Sequence, residues 1–405
     1  MKVPPPTPSW LAPIELVVVQ GTSFCNLNCK YCYLSEETRR NRSRIPLEKI
    51  SEYFMKILSS QYVQNRLIVN WHSGEPLVLG ADYYETVISR IAEIARDTCG
   101  PDFQVLHDFQ TNGTLINKRW CEFFKQHRDT VTLGVSCDGP QTLHNAYRRD
   151  WREGGTFERT LSGIRLLIEH DIRFGLIAVI SPRALNHSDE VYDFFNSYRE
   201  HVSEFRFNLL DDFPDDGELS YAHSEQDYYD FLKTLLNRLE ATPAAEQILN
   251  IKNFSYFYEQ LTAPSESASI SPAEFMSQPL RAFNIERNGD ISTFYAGVTQ
   301  DECPNIYGDG KGLVIGNLNV DSLDDIVMSA KLQKIHGDFE LSHSTCAKSC
   351  PYYSVCPGGY NLIKYKRFGR FDATETPECR IQVKTFTNAL IDHINPESAS
   401  VQNGE

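Results

Sequence analysis

Apolar positions in the first half of the chain follow two rhythms that take turns. Short apolar or alternating runs bounded by turn residues read as strands: Leu16–Ser23, Leu67–His72, Phe103–Thr111, Val131–Cys137, Ile172–Ile180 and Phe205–Leu210. Stretches with helical spacing lie between them: Leu47–Ser59, Asp82–Arg96, Lys118–His127, Phe157–His170 and Ser188–Tyr198. Six such units in succession predict an α/β fold, a parallel sheet with helices outside it. In such folds chemistry collects on the loops at the C-terminal ends of the strands.

The rhythm breaks at residues 211–218, an acidic, turn-rich run that predicts a domain boundary. Asp227–Leu239 and Glu246–Leu261 read as helices, and Thr262–Pro279 is Ser/Pro/Ala-rich and reads as a linker or exposed loop. Ile285–Phe294 and the glycine-rich Gly308–Gly316 suggest a small β element, and the polar tail from about Pro396 is expected to be disordered. The chain shows no internal repeat.

Bulk properties narrow the function classes. A length of 405 residues leaves room for two or three domains, and 41% hydrophobic with 23% charged residues is ordinary for a globular protein. A net charge of −15 argues against nucleic acid, since phosphate binding needs a basic surface. No apolar run is long enough to span a membrane, and the proline-rich Met1–Pro13 lacks the apolar stretch of a secretory signal. A cytoplasmic location is expected. There, eleven cysteines point to metal or redox chemistry rather than to a disulfide framework.

Three of those cysteines, Cys25, Cys29 and Cys32, read C-x3-C-x2-C on the loop after the first strand. Three thiolates can hold three irons of a [4Fe–4S] cube and leave the fourth open to chelate a small molecule and pass it an electron. Clustered cysteines also suit zinc with a distant fourth ligand, or plain buried thiols. This segment resembles the cluster loop of the radical S-adenosylmethionine (SAM) enzymes. The resemblance implies that the open iron binds SAM's methionine, and that SAM cleavage gives a 5′-deoxyadenosyl radical that abstracts hydrogen. It also sharpens the fold to a partial, six-stranded (β/α)6 barrel.

Other segments are similar to the family's SAM contacts. Ser73-Gly74-Glu75-Pro76 follows the second strand and resembles a Gly-Gly-Glu-Pro turn whose backbone oxygens face SAM's amino group. Ser136, in Gly134–Pro140, implies a hydrogen bond to SAM; Arg148 implies a pairing with its carboxylate. Asn112, ending the third strand, would line the pocket, with Tyr31 beside the cluster, and Leu209 matches a position near adenine. His72 reads as a structural histidine or a pocket wall.

The C-terminal segment holds Cys346, Cys350, Cys356 and Cys379 and resembles the SPASM extension of radical SAM maturases. These four match the ligands of the outer auxiliary [4Fe–4S] cluster. Tyr360 stands where an inner-cluster cysteine is usual, and Asn288–Phe294 offers none, so one auxiliary cluster is expected. A zinc knuckle is the competing reading of the same four residues. Cys303 is left over, and Cys99, Cys121 and Cys137 read as structural thiols. The implied division is an N-terminal extension over 1–15, the barrel over 16–215, a helical connector and linker over 216–280, a SPASM-like iron–sulfur domain over 281–385 and a tail over 386–405.

Phe283–Phe294, Ile315–Leu318, Cys350–Cys356 and Phe371–Arg380 look most like the cyclophane-forming maturases of the GrrM/OscB type; Pro357 and Tyr360 depart from the usual wording there. The resemblance implies an enzyme acting on a ribosomally made precursor peptide, reduced by a donor such as flavodoxin or ferredoxin. A carbon radical at Cβ of one residue would attack a nearby aromatic ring. The auxiliary cluster would then take the surplus electron, and Asp211 and Asp212 are candidates by location for the base that takes the proton. A sulfatase-maturase-like oxidation to formylglycine and thioether formation are the enzymatic alternatives. A metal-binding peptide scaffold is the non-enzymatic one.

Overall fold

The computed structural model describes residues 6–210, 225–243, 245–262, 275, 278–293 and 303–396. Asp211 and Asp212, the acidic break, most of the linker and the end of the tail lie outside the described residues. The six predicted strands form as β1 (Ile14–Val19), β2 (Val63–Trp71), β3 (Gln104–Thr111), β4 (Val131–Ser136), β5 (Phe174–Ile180) and β6 (Val202–Leu209). Each pairs in parallel with its sequence neighbour, with intervening helices where the spacing placed them. This is a mixed α/β fold built on a parallel sheet. Two aromatic clusters fill its core: Trp71, Tyr84, Phe109 and Trp120 under β2 and β3, and Phe205, Phe207, Phe254 and Phe386 beside β6.

The sheet does not end at β1. β7 (Ala282–Ile285) lies on its other side in parallel, from Leu16 opposite Ala282 to Val19 opposite Ile285. β8 (Asp290–Thr293) and β9 (Val314–Asn317) follow antiparallel, giving the order β6-β5-β4-β3-β2-β1-β7-β8-β9. The C-terminal segment therefore continues the sheet of the first half. The Arg281–Glu15 ion pair (2.7 Å) and the Lys56 ammonium, donating to the carbonyls of Leu318 and Asp321 (2.7 and 2.9 Å), fasten the two halves.

Three local departures from the sequence reading have physical causes. β1 stops at Val19, because Ile45 N–H donates to Gly21 O (2.9 Å) and the Thr22 hydroxyl to Ser43 O (2.9 Å), which turns Gln20–Ser23 into loop. The helix expected from Glu246 starts at Lys252. Before it, Phe205 N–H donates to Asn250 O (2.8 Å) and Ile251 bridges Phe205, so this stretch covers the outer edge of β6. The helix Ala330–Ser349, ending one residue before Cys350, is not predicted by the spacing; its apolar stripe of Leu332, Ile335, Phe339 and Cys346 is thin among polar residues.

Candidate functional site

The cysteine loop after β1 is held by backbone. Cys25 N–H donates to Arg39 O (3.0 Å), Asn28 N–H to Arg149 O (2.7 Å), and Lys30 N–H to Tyr147 O (2.9 Å). The Trp151 indole donates to Cys25 O (2.9 Å). Three thiols are thereby presented at one place by segments from both sides of β4. Burial pushes the Cys29 thiol up to about 11 and raises those of Cys25 and Cys32 as well. Iron that binds there must displace protons, so loading favours higher pH.

The turn after β2 is strained. Ser73 has φ 66° and Gly74 φ 121°, and a Cβ at Gly74 would sit 2.5 Å from Thr22 O, so only glycine fits. Glu75 is buried behind the turn and accepts from the Thr111 hydroxyl (2.7 Å), Asn112 N–H (2.8 Å) and Leu77 N–H (3.0 Å). Its own N–H donates to Phe24 O (2.9 Å). Burial pushes its carboxyl up to about 7 against those hydrogen bonds. Glu75 thus bolts the ends of β2 and β3 to the cysteine loop, and Pro76 begins the short 3-10 turn beyond it. Asn112 reaches the same loop, donating to Asn26 Oδ1 (2.8 Å) with its amide nitrogen 3.9 Å from Cys25 Sγ. Tyr33, His72 and Ser73 join in a neighbouring polar contact, the Tyr33 hydroxyl lying 3.3 Å from His72 Nε2 and 3.1 Å from Ser73 Oγ. Burial lowers the His72 imidazole to about 4, which keeps it neutral.

Past β4 the structure reveals a residue to which the sequence reading gave no role. Asp138 is buried and accepts from the Tyr31 hydroxyl (2.6 Å), Arg148 Nε (3.1 Å) and Val179 N–H (3.0 Å). It orients Arg148 and Tyr31 together, the guanidinium lying 5.6 Å over the tyrosine ring. The signal was available, because an aspartate among Gly134–Pro140 two residues past Ser136 sits at a strand end. Ser136 accepts from the Gln110 amide (2.8 Å). Tyr31, Ser73–Pro76, Asn112, Ser136 and Arg148 therefore lie on the loops and strand ends at one end of the sheet, with the three cysteines.

Leu209 ends β6 and is buried. Together with Asn208 and Tyr256 it lines a cavity of about 580 Å³ whose far wall carries Cys346, Cys350, Cys356 and Cys379. Cys346 lies in the last turn of Ala330–Ser349 and Cys350 caps that helix, its N–H donating to Cys346 O (2.8 Å). Cys356 is delivered by a tight turn from Tyr352, and Cys379 opens the π-helical stretch Cys379–Thr385. Burial pushes the Cys356 thiol up to about 12. Among the described residues, no three His, Cys, Asp or Glu side chains converge on a point where a single metal ion would sit. Four thiols lining one cavity are a donor set that suits a [4Fe–4S] cube, which gives each thiolate its own iron. Cys121 and Cys137 are buried in the core, and Cys99 donates to Leu58 O (3.2 Å). None of the described helices is long and apolar enough to cross a membrane.

Known proteins share this architecture. An uncharacterized protein, sll1766, from Synechocystis sp. is 28% identical over 94% of this chain and 92% of its own. The cysteine-type anaerobic sulfatase-maturating enzyme of Clostridium perfringens strain 13 is 23% identical over 86% of this chain and 89% of its own. A solved sulfatase maturase, native anSMEcpe with bound AdoMet and the Cp18Cys peptide, superposes with a TM-score of 0.72 at 19% identity, over 97% of this chain and 100% of that one. Streptococcus suis SuiB bound to its precursor peptide SuiA superposes at TM-score 0.60 and 18% identity, over 91% of this chain and 76% of that one. The Radical SAM superfamily profile matches residues 19–195, the stretch from the end of β1 to the helix after β5 that carries the C-x3-C-x2-C loop and its surrounding turns. The chain is an enzyme whose residues 19–195 match the radical SAM superfamily.

Proposed function

We infer that the chain is a peptide maturase that joins an aromatic ring to a Cβ carbon within a ribosomally made precursor. When bound, a [4Fe–4S] cluster and SAM supply a 5′-deoxyadenosyl radical. Cys25, Cys29 and Cys32 hold that cluster. The Ser73–Pro76 turn offers backbone oxygens to SAM's ammonium, and Arg148, braced by Asp138, offers its remaining N–H groups to the carboxylate. Ser136 and Asn112 line the pocket, Glu75 fixes the turn, and Tyr31 shields the loop. Cys346, Cys350, Cys356 and Cys379 hold one auxiliary [4Fe–4S] cluster. Asp211 and Asp212 follow β6 and take the proton released when the ring recovers its aromaticity.

The cavity between β6 and the four cysteines is the observation that carries this reading. A peptide seated against Leu209 there meets the strand ends on one side and an electron-accepting site on the other. Peptides are bound by the anSMEcpe and SuiB structures that share this fold. A flavodoxin or ferredoxin is the proposed donor.

A second reading, formylglycine formation, draws support from the sulfatase-maturating relatives. Tyr360 at the place of an inner-cluster cysteine counts against it. The test is mass spectrometry of the peptide encoded beside this chain after anaerobic reaction with SAM and dithionite. A loss of two hydrogens that is blind to hydrazine and independent of cysteine, with fragmentation blocked across an aromatic residue, is the expected result. A hydrazine-reactive product would replace this reading with formylglycine chemistry, and a product that consumes a cysteine thiol would replace it with thioether formation.

A further inference from the structure

Four Arg and Lys side chains are buried among the described residues: Arg39, Arg148, Arg281 and Lys364. Arg148 pairs with Asp138 and Arg281 with Glu15. The other two have cysteines for neighbours. Arg39 donates to Leu34 O and Asn28 Oδ1, neither of them charged, and its guanidinium faces Cys29 and Cys32.

Lys364 is the more deeply buried, at 4% exposed, in the helix Asn361–Phe368. Its ammonium donates to Ser342 Oγ (2.8 Å), Ser342 O (3.2 Å) and Cys346 Sγ (3.1 Å). An ammonium has three hydrogens to give. All three are used, and none goes to a carboxylate. A buried cation persists only when an anion compensates it. Among the described residues, the one hydrogen-bond partner of Lys364 able to carry negative charge is the Cys346 sulfur. A cube held by four thiolates is net negative, and reduction adds one more negative charge.

We propose that Lys364 is the fixed counter-cation of the auxiliary cluster, hydrogen-bonded to Cys346, and that it raises the cluster's reduction potential. The ammonium stabilises the reduced cluster more than the oxidised one, because the reduced form carries the larger negative charge. Lys364 acts through Cys346, so it is a positioning residue. The proposal rests on the four cysteines holding a cube.

The full chain carrying Cys25→Ala, Cys29→Ala and Cys32→Ala isolates the C-terminal site. After anaerobic reconstitution it should hold about four irons and four sulfides, one cube. An iron-free chain would overturn the auxiliary cluster, and this proposal with it. With the cube present, its midpoint is read by electron paramagnetic resonance in a mediated titration, dithionite supplying the electron. Lys364→Met should shift the oxidised-to-reduced ratio at the parent's midpoint at least tenfold towards oxidised, a fall of about 59 mV or more for one electron. Lys364→Arg should stay near the parent. Equal midpoints for Lys364 and Lys364→Met would overturn the proposal while leaving the cluster reading intact. If Lys364→Met takes up no iron, retention of iron by Lys364→Arg supports the charge requirement, and loss of iron from both variants overturns it.

Discussion

At the scale of single residues, the site is a set of buried polar groups whose partners are other site groups, so removing one strands another. Asp138 is the clearest case. Asparagine in its place keeps the shape but leaves the Arg148 guanidinium buried without its anion, a loss of about 3–5 kcal/mol. Asp138→Asn should lower the urea midpoint accordingly, and the SAM dissociation constant should rise with it. An unchanged midpoint would mean that the pair contributes nothing to the fold. His107 gives a separate test through pH. It is buried against Trp71, whose indole donates to its Nδ1 (3.3 Å), and burial holds its imidazole at about 3 against an ordinary 6.5. The unfolded chain therefore takes up the proton first, so the stability contributed by a neutral His107 is complete above 6.5 and is lost as pH falls through the window towards 3. Between about pH 7.5 and 5.5 that loss is about 1.4 kcal/mol. His107→Phe should lose about that much less over the same interval in denaturant titrations, and parallel curves would refute it. The cysteines and the Gly74 turn were legible in sequence because their chemistry is local. The roles of Asp138 and Lys364 were not, because each depends on a partner brought in by folding.

At the scale of elements, the site depends on close packing between a helix and a turn. Gly163, in the helix Phe157–Glu169, faces the turn that ends β3 so closely that a Cβ there would sit 2.2 Å from Gly113 O and 3.2 Å from Ile116 Cβ. One turn earlier, the Thr160 hydroxyl donates to Asn112 O (3.0 Å). Gly163→Ala must push this helix off the turn, a strain of about 1–3 kcal/mol. The displacement is transmitted to Asn112, so weaker SAM binding should accompany a lowered melting temperature. A variant that melts earlier but binds SAM normally would show that the helix does not set the turn. The six strands and five longer helices of the first half were readable from periodicity, with ends misjudged by a few residues, but the short helices Glu36–Arg40, Gln141–Tyr147 and Pro182–Leu185 were not. The start of the helix at Lys252 was not readable, because the preceding residues are drawn to the edge of β6 by pairing that only the tertiary fold supplies.

At the scale of the whole molecule, the informative feature is that β1 lies between β2 and β7. The cysteine loop grows from a strand paired on both sides, and one of those partners belongs to the segment that also leads to the four C-terminal cysteines. A chain ending at residue 262 would leave one edge of β1 bare, an invitation to aggregate. The full chain should therefore melt in a single calorimetric transition, and the fragment 1–262 should show no cooperative melt. A fragment that melts cooperatively near the parent temperature would show the barrel to be self-sufficient. No sequence pattern announced this arrangement, because Ala282–Ile285 is four residues long and its pairing partner lies near the other end of the chain.

That pairing also sets a clock. β1 leaves the ribosome before β7, and the strand that completes its second edge is made roughly 260 residues later. At ribosomal speeds of about 5–20 residues per second, the delay runs from roughly ten seconds to a minute. Throughout it, Cys25, Cys29 and Cys32 are carried on a nascent chain whose sheet is unfinished, open to oxygen and to stray metals. Whatever delivers iron and sulfide to this protein has to arrive after Ala282–Ile285 has been made, or guard those thiols until then.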